Sequence, residues 1–274
     1  MSERPLVYLL VLNYKGFDDT VECVDNLLQQ GYDNFKIVVL DNDSQDSSFE
    51  KLAEKYPDLL VVQTGANLGY AGGNNVGIRL AQEAGAKYVG VLNNDITADP
   101  FMVNKIVEAM EQDEKLAMTG PVILEWDRDI VQSAGARISL YTGDSIFYHQ
   151  GEIFDELKQK DTAQDKLNYL GGAALFVRTE VLEKIGLIPE DYFLFYEETE
   201  WCLKAKKAGF KLACVPTTFI HHKESSSIGK VDGLRAEYMT KNQKLFVKRN
   251  GNATEKMVFG CLNMAKKIYH RISV

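Results

Sequence analysis

The sequence predicts an α/β fold, in which a mostly parallel central sheet carries helices on both faces and a helical C-terminal extension follows. Four short apolar runs, near residues 6–12, 37–40, 59–62 and 89–92, are each followed by apolar residues at helical spacing. Each run also ends in polar residues or glycine, which is typical of a strand that turns into a helix. With 274 residues and 45% hydrophobic content, the chain can bury a large core.

The first strand is predicted at residues 6–12. This apolar run is too short for a signal peptide and leads directly into Asn13, so it indicates a buried strand. The following helix ends at Gly31. The next three strands are predicted at 37–40, 59–62 and 89–92, and they are closed by Asp41, the glycine-rich segment 64–75 and Asn93, respectively.

Beyond residue 100 the alternation continues with one interruption. Residues 125–168 show no regular pattern, and we expect a variable loop region, with a hairpin around Gly143, that shapes the acceptor side of a site. The other predicted elements are a helix at 101–111, strands at 116–124 and 169–178, helices at 179–185 and from Glu197 to Ala208, and a strand at 211–215.

The polar strand ends are predicted to line one crevice, because the carboxyl ends of parallel strands meet at one edge of a sheet. Asp41, residues 67–75 and residues 93–95 belong to this set. The Asn-Asn-Asp sequence at 93–95 suits a divalent cation that also holds a phosphorylated ligand. An asparagine-rich turn is the alternative. The pair His221 and His222 is either structural or complements Asp95 in holding Mn²⁺.

Three carboxylates, Glu197, Glu198 and Glu200, lie at the predicted start of a helix. The helix N-terminus stabilises negative charge, so at least one should stay ionised at neutral pH and could accept a proton from a hydroxyl group. The alternative is that they only favour helix formation. The aromatic residues at 192–196 and Trp201 could stack on sugar rings.

Glycines at 69–77 fit neither a dinucleotide-binding fingerprint nor a P-loop. They either allow close approach of a ligand or only begin a helix.

The net charge of −8 argues against a nucleic-acid partner, although residues 235–274 carry nine Lys or Arg against two Glu. The four cysteines form no CxxC pair, which indicates a reducing cytosol, and no run is long enough to span a bilayer.

Several motifs together resemble the family 2 glycosyltransferases, and especially their rhamnosyltransferase-like bacterial branch. The resemblance spans about residues 6–250 in one order. The motifs are Val-Leu-Asn-Tyr at 11–14, Val-Leu-Asp-Asn-Asp-Ser at 39–44, the Asn-Leu-Gly-Tyr-Ala-Gly-Gly-Asn-Asn run at 67–75, Leu-Asn-Asn-Asp at 92–95, Gly-Gly-Ala at 171–173, Glu-Glu-Thr-Glu at 197–200, and His222.

The resemblance implies a GT-A fold and an inverting transfer of sugar from a nucleotide diphosphate, with Mn²⁺ or Mg²⁺ as cofactor. Residues 93–95 stand where the family usually has Asp-x-Asp, so metal binding should depend on Asp95 and His222. The implied nucleotide-sugar contacts are Leu12, Asn13, the base-reading Asp41, Asn67, Gly73, Asn74, Asn93 and Asn94.

On the acceptor side, the resemblance implies that Glu198 is the catalytic base, with Glu197 or Glu200 as alternates. The family commonly has aspartate at this position, one methylene shorter than glutamate. Gly172, Tyr196 and Trp201 are the expected acceptor contacts. The implied donor is dTDP-rhamnose or a UDP-linked hexose or N-acetylhexosamine, and the acceptor is a saccharide, free or lipid-linked, in bacterial surface polysaccharide synthesis.

We expect a glycosyltransferase domain over residues 1–234, with a nucleotide-binding half at about 1–100 and a catalytic half at about 101–234. Residues 235–274 form a basic, amphipathic helical extension, in which 240–242 is similar to a Thr-Arg-Asn element of this branch. It could bind anionic lipid, form a homodimer or cover the core. A cytoplasmic protein, free or peripheral on the inner face of the membrane, is expected.

Two other functions fit parts of the pattern. A nucleotidyltransferase also pairs a parallel sheet with metal-held phosphates, but it needs a basic phosphate-binding loop after the first strand, and residues 13–16 make a poor one. A carbohydrate- or nucleotide-binding module would need neither an ionisable Glu198 nor a metal. Transfer and hydrolysis assays with and without Mn²⁺ separate the three functions.

Overall fold

The computed structural model describes residues 4–158, 166–223 and 234–272. Its strands are β1 (Val7–Asn13), β2 (Phe35–Asp41), β3 (Leu60–Gln63), β4 (Tyr88–Asn93), β5 (Ile96–Ala98), β6 (Leu116–Glu125), β7 (Val131–Ser133), β8 (Ala136–Ile138), β9 (Ser145–Phe147), β10 (Ala174–Arg178) and β11 (Lys211–His222). Its α-helices are α1 (Phe17–Leu27), α2 (Ser48–Lys55), α3 (Gly69–Glu83), α4 (Met102–Gln112), α5 (Phe154–Leu157), α6 (Leu182–Ile185), α7 (Glu197–Lys207), α8 (Leu234–Asn250) and α9 (Ala253–Ile272).

The central sheet has nine strands in the order β3-β2-β1-β4-β10-β6-β11-β5, and β7 pairs with β6. The first four of these strands are mutually parallel, as the βα alternation predicts. Strand β10 runs antiparallel to both β4 and β6, while β6 and β11 are parallel. The prediction of a mostly parallel sheet therefore holds for the strands of the N-terminal half, whereas the complete sheet is mixed.

Both faces of the sheet are covered, which explains why its strands are apolar along their whole length. Helices α1, α2 and α4 pack on one face, where Val24, Leu52 and Met102 join one hydrophobic cluster. Helices α3, α5, α6 and α7 pack on the other, where Ile78 and Trp201 join a second cluster. The helices lie on both faces, as predicted.

The glycines of α3 allow close packing of this helix on the sheet. A Cβ atom on Gly77 would lie 2.8 Å from methyl groups of Leu10 and Leu40, and one on Gly73 would lie 2.6 Å from Leu12. Such distances leave no room for a side chain. The glycine-rich segment is therefore the start of a helix, one of the two alternatives that the sequence leaves open.

Residues 125–168 contain more regular structure than the sequence predicts. Strand β7 adds to the central sheet, and β8 and β9 form the expected hairpin, with Gly143 in its turn at a φ of +70°. Helix α5 follows the hairpin, and residues 159–165 lie outside the described part of the chain.

The C-terminal helices differ in how they meet the body of the protein. Helix α8 buries Phe246 and Val247 in a third hydrophobic cluster, together with Tyr192 and Tyr196. Helix α9 instead leaves large apolar side chains exposed, among them Met257, Leu262, Met264 and Ile268. In the ranges that the structure describes, no helix combines the length and apolar character needed to cross a bilayer.

Candidate active site

Asp41 is the centre of a hydrogen-bond network at the tips of β1 and β2. Its carboxylate accepts hydrogen bonds from Asn13 Nδ2 at 2.6 Å, from Ser44 Oγ at 2.6 Å and from the Ser44 amide at 3.0 Å. Asp41 and Asn13 are fully buried. In the structure the carboxylate holds the strand tips together, and the predicted contact of Asp41 with a nucleotide base stays a prediction.

The same network extends to the tip of β4. Asn13 Oδ1 accepts hydrogen bonds from Thr20 Oγ1 at 2.9 Å and from the Gly16 amide at 3.1 Å. Asn94 Nδ2 donates to Thr20 Oγ1 at 2.9 Å and to the Gly16 carbonyl at 3.2 Å. Three of the strand tips predicted to line one crevice are therefore linked through side chains.

Asn42 supports the segment before α3. Its Nδ2 donates to Asn67 Oδ1 and to the Gly69 carbonyl, both at 3.1 Å, and its Oδ1 accepts from the Leu68 amide at 3.0 Å. Asn67 is exposed at the edge of this segment, whereas Asn74 is fully buried. Of the predicted contacts in this region, Asn67 is open to a ligand, and Gly73 and Asn74 belong to the packed interior.

Asp95 and His222 meet although they are distant in sequence. His222 Nε2 lies 3.4 Å from Asp95 Oδ1 and 3.3 Å from Asn93 Nδ2. His222 Nδ1 is 3.2 Å from Gln132 Oε1, on β7. This pattern fits the tautomer with hydrogen on Nδ1, which directs the Nε2 lone pair toward Asp95. His221 points to the other side of β11, where it contacts Phe219.

The pair fits a divalent cation that takes its remaining ligands from a phosphorylated molecule. The carboxylate and imidazole supply one oxygen and one nitrogen donor, and Asn93 stands beside them. No cluster of three or more His, Cys, Asp or Glu side chains with metal-binding geometry occurs in residues 4–158, 166–223 and 234–272. A site with two protein ligands is typical of metals held largely by substrate phosphates.

Glu198 is connected to the strand that carries Asn93 through the residues just before β10. The Asn93 amide donates to the Ala173 carbonyl at 2.9 Å, and the next residue back, Gly172, packs against Glu198. A Cβ atom on Gly172 would lie 3.3 Å from Glu198 Cγ and 3.3 Å from the Tyr70 hydroxyl oxygen. Tyr70 Oη donates to the Gly172 carbonyl at 2.7 Å. The absence of a side chain at residue 172 allows Glu198 and the Tyr70 hydroxyl to pack closely against the backbone.

The three carboxylates at the start of α7 have different environments. Burial raises the pKa of Glu198 to about 7, although its own backbone amide and that of Thr199 stabilise the ionised form. Burial, and then the charge of Glu198, hold the pKa of Glu197 well above its ordinary value. Oε2 of Glu197 has no hydrogen-bond partner within the described ranges. Both carboxyl groups therefore hold a proton more readily than an exposed glutamate does.

Glu200 contacts helix α8. Its carboxylate accepts hydrogen bonds from the Tyr192 hydroxyl and from Asn250 Nδ2, and it forms ion pairs with Lys204 and Arg249. Its side chain is nearly buried, at 7% exposure. Of the two alternate bases that the sequence offers, Glu200 is excluded by these contacts.

Two predicted acceptor contacts are wrong. Trp201 has 0% exposure, and its indole Nε1 donates to the Gly186 carbonyl at 2.9 Å within the core. Tyr196 is buried against Phe246, and its hydroxyl donates to the Gly143 carbonyl at 2.8 Å. Tyr70 shares the surface of Gly172 with Glu198. The pKa values of Tyr70 and Tyr169 are raised well above the ordinary range by burial and next by the charge of Glu198.

Sequence reasoning missed Gln132, Asn42, Tyr70 and Tyr169 as site residues. Gln132 lies in the region without regular sequence pattern, so no periodicity marks it as a strand residue. Tyr70 and Asn42 stand inside motifs quoted above, and their proximity to Asn67 and Gly172 follows only from the three-dimensional fold.

The fold defines a class of protein. The β3-β2-β1-β4 parallel unit, the antiparallel β10 and the Asp95–His222 pair at the strand tips form a GT-A architecture. A solved mannosyltransferase from Pyrobaculum calidifontis, in complex with GDP-Man and Mn²⁺, has this fold with a TM-score of 0.63 and 18% identity, over 92% of this chain and 66% of that chain.

The protein-family model described as "Glycosyl transferase family 2" matches residues 8–186 of the sequence, and the chain belongs to this family. The low-salt glycan biosynthesis hexosyltransferase Agl10 of Haloferax volcanii is 26% identical over 216 residues, which cover 78% of this chain and 66% of that relative. The N-acetylglucosaminyl-diphospho-decaprenol L-rhamnosyltransferase of Mycobacterium tuberculosis is 25% identical over 209 residues, or 71% of this chain and 68% of the relative. The chain thus spans about two thirds of these relatives.

Proposed function

We propose that the protein is a metal-dependent, inverting glycosyltransferase that moves a sugar from a nucleotide diphosphate to a saccharide hydroxyl. One observation carries this proposal. A series of contacts links the Asp95–His222 pair, through Asn93 and Ala173, to Gly172, which packs against Glu198, and this linkage supports a candidate cation site and a candidate base on one side of the sheet. A donor diphosphate at the cation and an acceptor hydroxyl at Glu198 would then flank the same sugar.

The donor would lie along the linked strand tips. Leu12, Asn67, Asn93 and Asn94 each keep part of their surface accessible there, while the buried Asp41 network fixes their positions. One relative is named as a rhamnosyltransferase, which favours a dTDP-linked rhamnose, with a UDP-linked hexose or N-acetylhexosamine as the other donor to test.

Asp95 and His222 would hold the metal, and Gln132 would orient the imidazole. An imidazole donor favours Mn²⁺ over Mg²⁺, because Mg²⁺ prefers oxygen ligands. When bound, the cation would neutralise the negative charge that develops on the leaving diphosphate.

Glu198 would act as the general base. Its ionised carboxylate takes the proton of the acceptor hydroxyl, whose oxygen forms a bond to the anomeric carbon of the sugar. The bond from that carbon to the diphosphate oxygen breaks on the opposite face, so the configuration inverts. A pKa near 7 suits this role, because the base is substantially ionised at neutral pH and still binds a proton strongly.

The acceptor is proposed to be a saccharide linked to a lipid diphosphate, since one relative's name specifies such a substrate. Helix α9 supports this proposal through its exposed apolar stripe, which consists of Met257, Cys261, Met264 and Ile268. Their spacing places them on one side of the helix. The extension as a whole is rich in Lys and Arg. An apolar stripe on a basic helix fits the surface of an anionic membrane, where a lipid-linked acceptor resides.

The assignment of the base is tested by comparing Glu198→Gln with Glu197→Gln in a transfer assay over dTDP- and UDP-sugars with Mn²⁺. We expect Glu198→Gln to lower kcat roughly 10²- to 10⁴-fold with unchanged donor binding, since loss of a general base has an effect of this size. Glu197→Gln replaces a buried carboxyl, whose pKa is raised by burial, by an amide of the same shape, so its kcat should stay within a few-fold of the wild type. The reverse order of effects would move the base to Glu197.

A further inference from the structure

The four residues before α7 adopt an unusual backbone. Phe193, Phe195 and Tyr196 have φ angles of 63°, 69° and 76°, in the left-handed region that residues with a Cβ atom rarely occupy. Three such residues within four persist only where surrounding contacts enforce them. This segment, residues 193–196, leads directly into the first turn of α7, which carries Glu198.

Asn242 of α8 supplies those contacts. Its Nδ2 donates to the carbonyl of Leu194 at 2.7 Å, to that of Tyr192 at 2.9 Å and to that of Phe195 at 3.1 Å. Asn242 is fully buried, and its Oδ1 has no hydrogen-bond partner in the part of the chain that the structure describes. The side chain thus acts as a donor shared among three carbonyl groups, two within the segment and one on the residue just before it.

The segment also positions the surface that faces Glu198. The Phe193 carbonyl accepts a hydrogen bond from the Tyr70 amide at 2.9 Å, and the Tyr70 hydroxyl donates to the Gly172 carbonyl beside Glu198. At its other end, Tyr196 is the residue immediately before the first turn of α7. A change in the segment would therefore displace both Glu198 and Tyr70.

We propose that Asn242 is a positioning residue that holds segment 193–196 in its left-handed conformation and so places the Glu198 carboxylate toward the acceptor. This inference rests on the proposed function of Glu198 as the base. Asn242 does not touch the site itself. It acts through the backbone, and it makes the C-terminal helix α8 a required part of the catalytic centre.

The test compares Asn242→Leu and Asn242→Ser with Gln243→Leu. Leucine has a similar volume and no donor, and serine offers one hydroxyl donor on a shorter side chain. Gln243 is the matched control, because it joins α8 to the Gly143 hairpin through Thr142 and Asp144 and, unlike Asn242, meets segment 193–196 through the Tyr196 side chain and not through its backbone carbonyls. All are made in the full chain, and the melting temperature of each is recorded.

Two readouts separate positioning from simple loss of stability. We expect both Asn242 variants to lower kcat about 10- to 100-fold with donor KM changed less than threefold, in the range for loss of a supporting contact. The pH midpoint of kcat should also move, because Glu198 leaves its buried setting. Gln243→Leu should leave the pH midpoint in place and lower kcat less than threefold.

The side-chain carboxyl titration of Glu198 is followed by ¹³C NMR, with Glu198→Gln used to assign the signal. This measurement does not depend on transfer activity. If the wild type transfers no sugar, the proposed function fails, and the titration still decides the positioning role. An unchanged Glu198 titration in a folded Asn242→Ser protein overturns the inference, as does a Gln243→Leu effect equal to that of Asn242→Ser. If Asn242→Leu does not fold, Asn242→Ser alone decides.

Discussion

At the scale of single residues, the three neighbouring glutamates show how environment assigns function. Glu198 borders Gly172 and Tyr70, Glu197 is buried, and Glu200 binds α8. The sequence predicted that a carboxylate at this helix start would serve as base, because residue type and position are visible in it. Only the family resemblance singled out Glu198. Helical position alone could not select among the three, because successive helical residues point about 100° apart and the direction of each depends on tertiary packing.

The pKa of Glu198 near 7 predicts a pH dependence for transfer. Only the ionised carboxylate accepts a proton, so kcat/KM should fall about tenfold for each pH unit below 7 and level off above it. The measurement is a pH–rate profile from pH 5 to 9 at saturating Mn²⁺. A profile that stays flat down to pH 5 would show that the base titrates at its ordinary value or is a different group.

The errors at the residue scale share one cause. Trp201 and Tyr196 were predicted as acceptor contacts because aromatic side chains stack on sugars, but aromatic residues also fill protein cores. Position 201 faces the sheet from α7, and position 196 packs under α8. Without knowledge of these two interfaces, the sequence cannot distinguish a core aromatic residue from a binding one.

At the scale of elements, the sequence predicted most helices and strands but not the direction of β10. Apolar periodicity indicates that a strand is buried and contains nothing about which neighbour it pairs with. The antiparallel pairing of β10 with β4 aligns Ala173 with Asn93 and so links the segment around Gly172 to the strand that ends near Asp95. Strand β7, which the sequence does not predict, supplies Gln132.

Gln132 should support metal binding through its contact with His222 Nδ1. We expect Gln132→Ala to weaken Mn²⁺ affinity about 10- to 100-fold in the presence of a nucleotide diphosphate, because outer-sphere partners of ligating histidines have effects of this size. Electron paramagnetic resonance of bound Mn²⁺ measures this affinity without an activity assay. Asp95→Asn should abolish binding in the same experiment. Equal Mn²⁺ affinity in all three proteins would remove the metal site from this location.

The two ends of α3 offer a matched pair of glycines. Gly69 and Gly85 have similar positive φ angles, 69° and 73°, but only at Gly69 would a Cβ atom collide with another backbone, 2.3 Å from the Phe193 carbonyl oxygen. Gly85→Ala should lower the free energy of unfolding by about 1–2 kcal/mol, the cost of the left-handed conformation.

Gly69→Ala should lower the free energy of unfolding by roughly a further 1–3 kcal/mol, because the overpacked contact adds to the conformational cost. Urea denaturation with comparison of the m-values gives both numbers. If the two variants lowered the free energy of unfolding equally, the start of α3 would not contact segment 193–196 as closely as described.

At the scale of the whole molecule, the two helices of the C-terminal extension have different surroundings. Helix α8 completes the interior through Phe246, Val247 and Asn242, and helix α9 presents its apolar stripe to the outside. The sequence predicted a basic, amphipathic extension from composition and spacing. It did not show that half of the extension belongs to the core, because α8 alone has no strong apolar periodicity.

The apolar stripe of α9 predicts binding to anionic vesicles. In a flotation assay with the full chain, the double variant Met257→Glu and Met264→Glu should lose binding, because it places charge on the stripe. Leu28→Glu is the matched control, since it makes the same kind of change at an exposed leucine on the body of the protein. Equal flotation of the two variants would assign the stripe to another role. The same holds if the wild type does not float and instead sediments as a dimer.

The central claim is that one bound sugar contacts both the cation site and the base. The most direct measurement is a crystal structure of the Glu198→Gln variant with its intact nucleotide-sugar donor and Mn²⁺. We predict Mn²⁺ bound by Asp95, His222 and the diphosphate, with the sugar beside Gly172 and its anomeric carbon facing residue 198. A donor bound away from Gly172, or Mn²⁺ coordinated without Asp95 and His222, would contradict the account.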